Sequence, residues 1–250
     1  MINLKTTREL RYMRDAGKIS QEALLKAGEA VRPGVSTLEL DKIVRRTIEK
    51  AGAVPSFLGY GGFPASACIS VNNVVIHGIP SAHEILKEGD IVSIDVGAIY
   101  EGFNGDNAWT FPCGKVSEEA QKLMDATRES LFLAIEKAVP GNRIGDIGSA
   151  VQQYVEARNY SVVREFVGHG VGVKLHEDPS VPNYGTPGRG VRLLPGMTIA
   201  IEPMVTQGSC EVKILKDGWT TVTKDGKLAA HFEHSIAITP DGPVILTSLD

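Results

Sequence analysis

The chain repeats itself. Pro33-Gly34 precedes a helical pattern of Leu40, Val44 and Ile48, and at an offset of about 107 positions Pro140-Gly141 precedes Ile147, Val151 and Val155. The same offset carries Gly89 onto Gly196, Val92 onto Ile199, Ile94 onto Ile201 and Asp95 onto Glu202. A shorter offset lays His77-Gly78-Ile79 over His169-Gly170-Val171. Matched segments at one offset, with acid landing on acid, point to a duplicated architecture. Its halves are expected to face each other about an approximate two-fold axis, with Asp95 and Glu202 meeting across it.

Periodicity fills in the rest. The first half reads as helices at about 7–30 and 37–51, then strands near 66–76, 90–99 and 104–111. The second half reads as helices at about 117–138 and 144–158, then strands near 160–167, 197–205, 211–216, 219–223 and 231–238. Helices followed by antiparallel strands, twice over, make an α+β fold with helices packed on one face of a curved sheet.

Composition excludes several classes. A net charge of −4 over 250 residues gives no basic excess, which argues against a nucleic-acid site. The longest apolar runs are strand-sized, well short of the ~20 residues that span a bilayer. The N-terminus, Met1-Ile2-Asn3-Leu4-Lys5, lacks the apolar core of a signal peptide. Cys68, Cys113 and Cys210 are widely spaced and odd in number, as expected of reduced thiols in the cytoplasm.

Five residues stand out against that background. Asp95 follows Ile91-Val92-Ser93-Ile94, Glu202 follows Ile199-Ala200-Ile201, and Glu233 opens Glu233-His234-Ser235-Ile236. A carboxylate in a buried strand must be paired, protonated or bound to a metal. Asp95 and Asp106 flank a hairpin with Glu101-Gly102 at its tip, so they are expected nearly opposite on neighbouring strands. Like charges so placed destabilise a sheet unless a cation lies between them. His169 sits in Gly168-His169-Gly170-Val171-Gly172, where glycines permit tight backbone approach and positive φ.

Four carboxylates and one imidazole suit two divalent ions of the Mn, Co, Fe or Zn type. Two ions clamping a tetrahedral oxyanion perform hydrolysis. No GxSxG elbow, P-loop or GxGxxG competes with that chemistry. His231 alternates with Glu233 and Ser235 and is expected to border the site. His83 and His234 are expected outside it.

These motifs resemble the methionine aminopeptidases, in particular the short bacterial type I, from about residue 5 to 247. Asn72 to Pro80, around His77, resembles the family's first histidine motif. Ile94-Asp95-Val96-Gly97 and Gly105-Asp106 resemble its aspartate motifs. Gly168 to Gly172, Ile201-Glu202-Pro203-Met204 and Phe232-Glu233-His234-Ser235 resemble the remaining three. The resemblance implies a pita-bread fold with an internal pseudo-two-fold. It implies a single catalytic domain over 1–250, with halves at about 7–112 and 117–240.

It further implies an exopeptidase that removes initiator methionine from nascent proteins and peptides, preferring a small second residue. By the same resemblance Asp95, Asp106 and Glu233 bind one metal, and Asp106, His169, Glu202 and Glu233 the other. His77 would contact the scissile amide, His176 would hydrogen-bond the developing oxyanion, and Glu202 would accept a proton. Tyr60, Phe63, Cys68 and Trp219 match the methionine pocket. The implied partners are methionyl peptides and nascent chains, with a transient ribosome contact and a monomeric state.

Gly61 and Asn104 depart from the histidines many members carry, which concerns the pocket rim rather than the metal ligands. Xaa-Pro peptidases and creatinases share the metal motifs but usually carry a separate N-terminal domain, for which the first ten residues leave no room. The interval between Glu202 and Glu233 is too short for the helical insertion of the type II enzymes. Non-catalytic relatives are expected to have lost ligands that are retained here, and a purely structural metal pair would leave His77 and His176 unexplained.

Overall fold

A computed structural model describes residues 2–249. The chain begins with α1 (Thr7–Glu29), α2 (Thr37–Lys50), β1 (Val54–Pro55) and a short 3-10 turn at Tyr60–Gly62. It continues through β2 (Ala67–Val71), β3 (Val74–Ile76), β4 (Ile91–Tyr100) and β5 (Phe103–Pro112). The second half opens with α3 (Glu118–Glu136), α4 (Ile144–Glu156), β6 (Ser161–Val162), β7 (Gly168–Gly170), β8 (Glu177–Val181) and β9 (Thr198–Ile201). The remaining strands are β10 (Met204–Thr206), β11 (Val212–Ile214), β12 (Thr221–Thr223), β13 (Ala229–His231), β14 (Glu233–Thr239) and β15 (Gly242–Ile245). Among these, no helix is long and apolar enough to cross a membrane.

Local signals account for the helix starts. Thr6 and Glu9 close a capping box on α1, as Ser36 and Glu39 do on α2, so that orphan N–H groups of the first turn are satisfied. The Ser117 side chain accepts from the Ala120 N–H at the start of α3.

The repeat is written in hydrogen bonds. Gly34 N–H donates to Leu86 O, and Gly141 N–H donates to Leu193 O. An isolated bridge joins Ser36 to Ile85, and its counterpart joins Arg143 to Arg192. Gly89 and Gly196 both adopt φ 92°, just ahead of β4 and β9. Leu40, Val44 and Ile48 pack with Val92, Ile94 and Val96, while Ile147, Val151 and Val155 pack with Ile199 and Ile201. Each helix pair therefore covers its own half of the sheet, and Trp109 touches both cores.

The main sheet is antiparallel and runs β1-β4-β5-β14-β9-β7-β8, with β2 on β4 and β15 on β14. It forms a curved half-barrel with the helices on its outer face. Smaller sheets, β13-β10-β6 and β11-β12-β3, border it. The seam between the halves is short: β5 and β14 pair only at Ala108–Glu233 and Asn107–His234. Side-chain hydroxyls extend it. Thr110 Oγ1 bonds to the backbone of His231, and Ser235 Oγ donates to Asp106 O while accepting from Asp106 N–H.

Several expected elements differ. The run 66–76 is two strands, because Asn72 turns the chain at φ 55°. The run 160–167 is strand only at Ser161–Val162 before it bends away. Glu202-Pro203 divides 197–205 into β9 and β10, since proline has no N–H for the ladder. Phe232 similarly separates β13 from β14.

Candidate metal centre

The register of three strands builds the floor of a cavity. Asp95 on β4 lies opposite Ala108 on β5, and Ala108 lies opposite Glu233 on β14. The small alanine leaves a gap between two acids that share one sheet face. Asp106 sits two residues along β5 from Ala108, on the same face. Asp95 and Asp106 are therefore diagonal neighbours rather than opposites; Asp106 faces Gly97. The hairpin supplies the reason, because its two-residue turn at Glu101–Gly102, with φ 50° and 79°, pairs Tyr100 with Phe103.

Glu202 arrives from β9, one step beyond the Ile201–His234 pair, and His169 arrives from β7. His169 Nε2 lies 3.7 Å from Asp106 Oδ2 and 3.6 Å from Glu202 Oε1. Its Nδ1–H donates to Gly170 O at 2.8 Å, which leaves the Nε2 lone pair for the cavity. The flanking glycines serve close approach: a Cβ on Gly168 would lie 2.4 Å from Ala200 O, and one on Gly170 2.2 Å from Asp178 O. Neither has positive φ, contrary to expectation.

The electrostatics call for a cation. Asp95 Oδ1, Asp106 Oδ1 and Glu233 Oε1 are buried and accept no hydrogen bond. Among the described residues, no Lys or Arg pairs with these acids. Leaving such charges bare costs several kcal/mol each. Burial pushes Asp106 up to about 7. Burial, then neighbouring carboxylates, raise Asp95, Glu202 and Glu233 well above the ordinary range. Burial lowers His169 to about 4, so its ring is neutral and free to ligate. One nitrogen of His169 and one oxygen each of Asp106 and Glu233 lie within 4.8 Å of one another. A metal-binding cluster is present, and its oxygen-rich donor set fits hard or borderline divalent ions.

A cavity open to solvent lies above this floor. His77, His176, Tyr60, Phe63, Cys68 and Trp219 line it together with the four acids and the imidazole of the floor. Phe57 and Leu175 also line it, and sequence reasoning missed both. Leu175 was discoverable as the apolar neighbour of His176; Phe57 carried no distinguishing signal. Tyr60 Oη lies 2.7 Å from His176 Nδ1, leaving the Nε2 edge of that ring for the cavity. His77 stands at φ 58°, edge-on to Phe166 and Trp219, and burial lowers it to about 4.

His231 borders the site as expected, with its buried Nε2 3.6 Å from Glu202 Oε2. His234 points to the other face, where its Nδ1 meets Thr247 Oγ1. His83 is exposed and distant from the cavity lining. Gly61 does stand at the rim, beside Trp219. Asn104 does not: it is buried below the wall and lies outside the cavity lining.

Known proteins are similar to this chain in sequence and in fold. Residues 11–240 match the model of metallopeptidase family M24. The chain is 60% identical over 247 residues to a methionine aminopeptidase of Clostridium perfringens, covering 99% of each. It is 54% identical to methionine aminopeptidase 1 of Bacillus subtilis, again over 99% of each chain. The crystal structure of methionine aminopeptidase from Thermotoga maritima superposes with a TM-score of 0.98 at 47% identity, covering 99% of this chain and 100% of that one.

Proposed function

From the premise that the chain belongs to metallopeptidase family M24, as a type I methionine aminopeptidase that removes N-terminal methionine, we propose how its residues divide that work. The cavity would hold two divalent ions of the Co, Mn, Fe or Zn type. Asp95, Asp106 and Glu233 would bind one, and Asp106, His169, Glu202 and Glu233 would bind the other. What carries the proposal is four convergent acids, three of them with an orphaned buried oxygen, and no protein cation to balance them. Such ions would supply a lowered pKa for bound water and stabilisation of the charge that develops on the substrate's carbonyl oxygen.

The remaining steps belong to side chains. Glu202, 13% exposed at the cavity floor, accepts the proton of the attacking water. His176 presents Nε2 to the carbonyl oxygen as it gains charge, its other nitrogen being held by Tyr60. His77 is neutral in its buried setting and acts through hydrogen bonding at the scissile amide, whose leaving nitrogen takes the proton that Glu202 accepted from the water.

Phe57, Phe63, Cys68 and Leu175 form an apolar cluster with Trp219 at its edge. With Tyr60 above it, that cluster receives the methionine side chain. The acidic floor attracts the substrate's free ammonium, and the loop backbone near His77 and His176 leaves room for a small second residue. Residues 1–250 act as one catalytic unit built from two halves. Its substrates are methionyl peptides and nascent chains in the cytoplasm, met by a monomer in transient contact with the ribosome.

Three peptides test this. Met-Ala-Ser should be cleaved, whereas its N-acetyl form and Ala-Pro-Ala should not. Cleavage of the acetylated peptide would refute recognition of the free amine, and cleavage of Ala-Pro-Ala alone would transfer the site to Xaa-Pro substrates.

A further inference from the structure

Asn104 is 2% exposed, and its side chain uses both of its polar atoms. Oδ1 accepts from Ser56 Oγ at 2.8 Å. Nδ2 donates to Gly172 O at 3.0 Å and to Val173 O at 3.1 Å. The Asn104 backbone N–H also donates to Gly172 O, at 2.8 Å. These partners belong to opposite walls of the cavity. Ser56 leads directly into Phe57 and on to Tyr60, whereas Gly172 and Val173 lead into Leu175 and His176. Higher up, the same walls meet where Tyr60 touches His176.

We infer that Asn104 is a positioning residue: a buried crossbar that sets the separation of the two walls, and with it the place of His176 and the width of the methionine pocket. The consequence for His176 rests on the catalytic role proposed above.

The contacts made at this position suit an amide. It accepts from one wall and donates twice to the other, and few side chains of that size do both. The strand beside it is shaped for this contact. A Cβ at Gly97 would lie 2.7 Å from the Phe57 ring and 2.8 Å from Ser56 Cβ, so glycine lets that wall lie flat on β4. Ser56 N–H donates to Gly97 O at 2.9 Å.

The far end of the His176 loop has its own anchor. Glu177 accepts from Lys5 at 2.7 Å, both side chains being nearly buried, and Glu177 Oε1 accepts from Lys174 N–H at 3.1 Å. Losing the Asn104 side chain therefore loosens one end of the loop, which keeps only the backbone bond to Gly172 O, and leaves the other end tied. The result is a displaced His176, not an unfolded loop, and a misplacement of about 1 Å can cost on the order of 10²-fold in rate.

Asn104→Leu keeps the branched outline and removes donors and acceptor alike. In the metal-loaded enzyme it should lower kcat about 10- to 100-fold, and narrow several-fold the preference for Met-Ala-Ser over Leu-Ala-Ser. In a His176→Ala background the same substitution should change kcat less than about twofold, since the two act through one group. Equal losses in both backgrounds, or an unchanged kcat and an unchanged preference, would overturn the inference. If Asn104→Leu does not fold, Ser56→Ala, which removes a single hydroxyl, is judged by the same two criteria. If His176→Ala alone proves silent, the catalytic reading of His176 fails, and the Met/Leu preference still decides for or against the crossbar.

Discussion

The floor and the rim of this cavity are built differently. Asp95, Ala108 and Glu233 form a row across three strands, held by ladder hydrogen bonds and by the hydroxyls of Thr110 and Ser235. The rim hangs on loops. His176 and Tyr60 are exposed, and His77 occupies a left-handed backbone conformation that non-glycine residues seldom adopt. A register is nearly all-or-none, because a slip of one residue sends every side chain to the other face. A loop can shift by fractions of an ångström. Lesions in the floor should therefore remove metal and activity together, while lesions in the rim should be graded and spare the metal.

His176→Ala is the sharpest way to break that distinction. An oxyanion donor acts mainly in the transition state, so kcat should fall about 10²- to 10³-fold with KM little changed. Bound metal, measured on the same sample, should stay at the wild-type level. Metal loss in that variant would move His176 into the floor and erase the contrast.

A smaller effect concerns pH and the floor alone. Burial holds the folded pKa values of Asp95, Asp106, Glu202 and Glu233 above their unfolded ones. Their contribution to stability is therefore full at low pH and is lost as pH rises through the folded values, with Asp106 at about 7. Buried histidines have the opposite sign. Burial lowers His77, His169 and His234 to about 4 and His231 to about 3, so they add stability as pH rises, but only up to the ordinary histidine value of 6.5. Above it the carboxylates act alone. Between pH 6.5 and about 8 the Tm of the metal-free protein should fall, and saturating Mn should abolish the fall. A metal-free Tm that stays level or rises across this window would show that the floor is not a set of bare, proton-hungry acids.

The same contrast governs what was legible in the sequence. Apolar runs at Ile91–Val96 and Thr198–Ile201 exposed the strands, and the offset from Asp95 to Glu202 exposed the duplication. The acids were conspicuous because their own strands gave them no partner. The diagonal offset of Asp95 and Asp106 was hidden, since it depends on how many residues the hairpin turn consumes. Phe57 and Leu175 were hidden too, because an apolar wall looks like core until a chain segment fails to cover it. Asn104 was placed at the rim by resemblance. Its true setting depends on Ser56, Gly172 and Val173, which only tertiary folding brings together.

The central claim is that the acids of the floor hold two ions through shared ligands, and metal counting tests it most directly. Mn should titrate by calorimetry to two ions per wild-type chain. Asp106→Ala, which removes the oxygen donor proposed for both positions, should bind neither ion tightly and should stay inactive at any added Mn. One ion per wild-type chain at full activity, or an Asp106→Ala variant that still holds two ions and turns over normally, would contradict the shared floor.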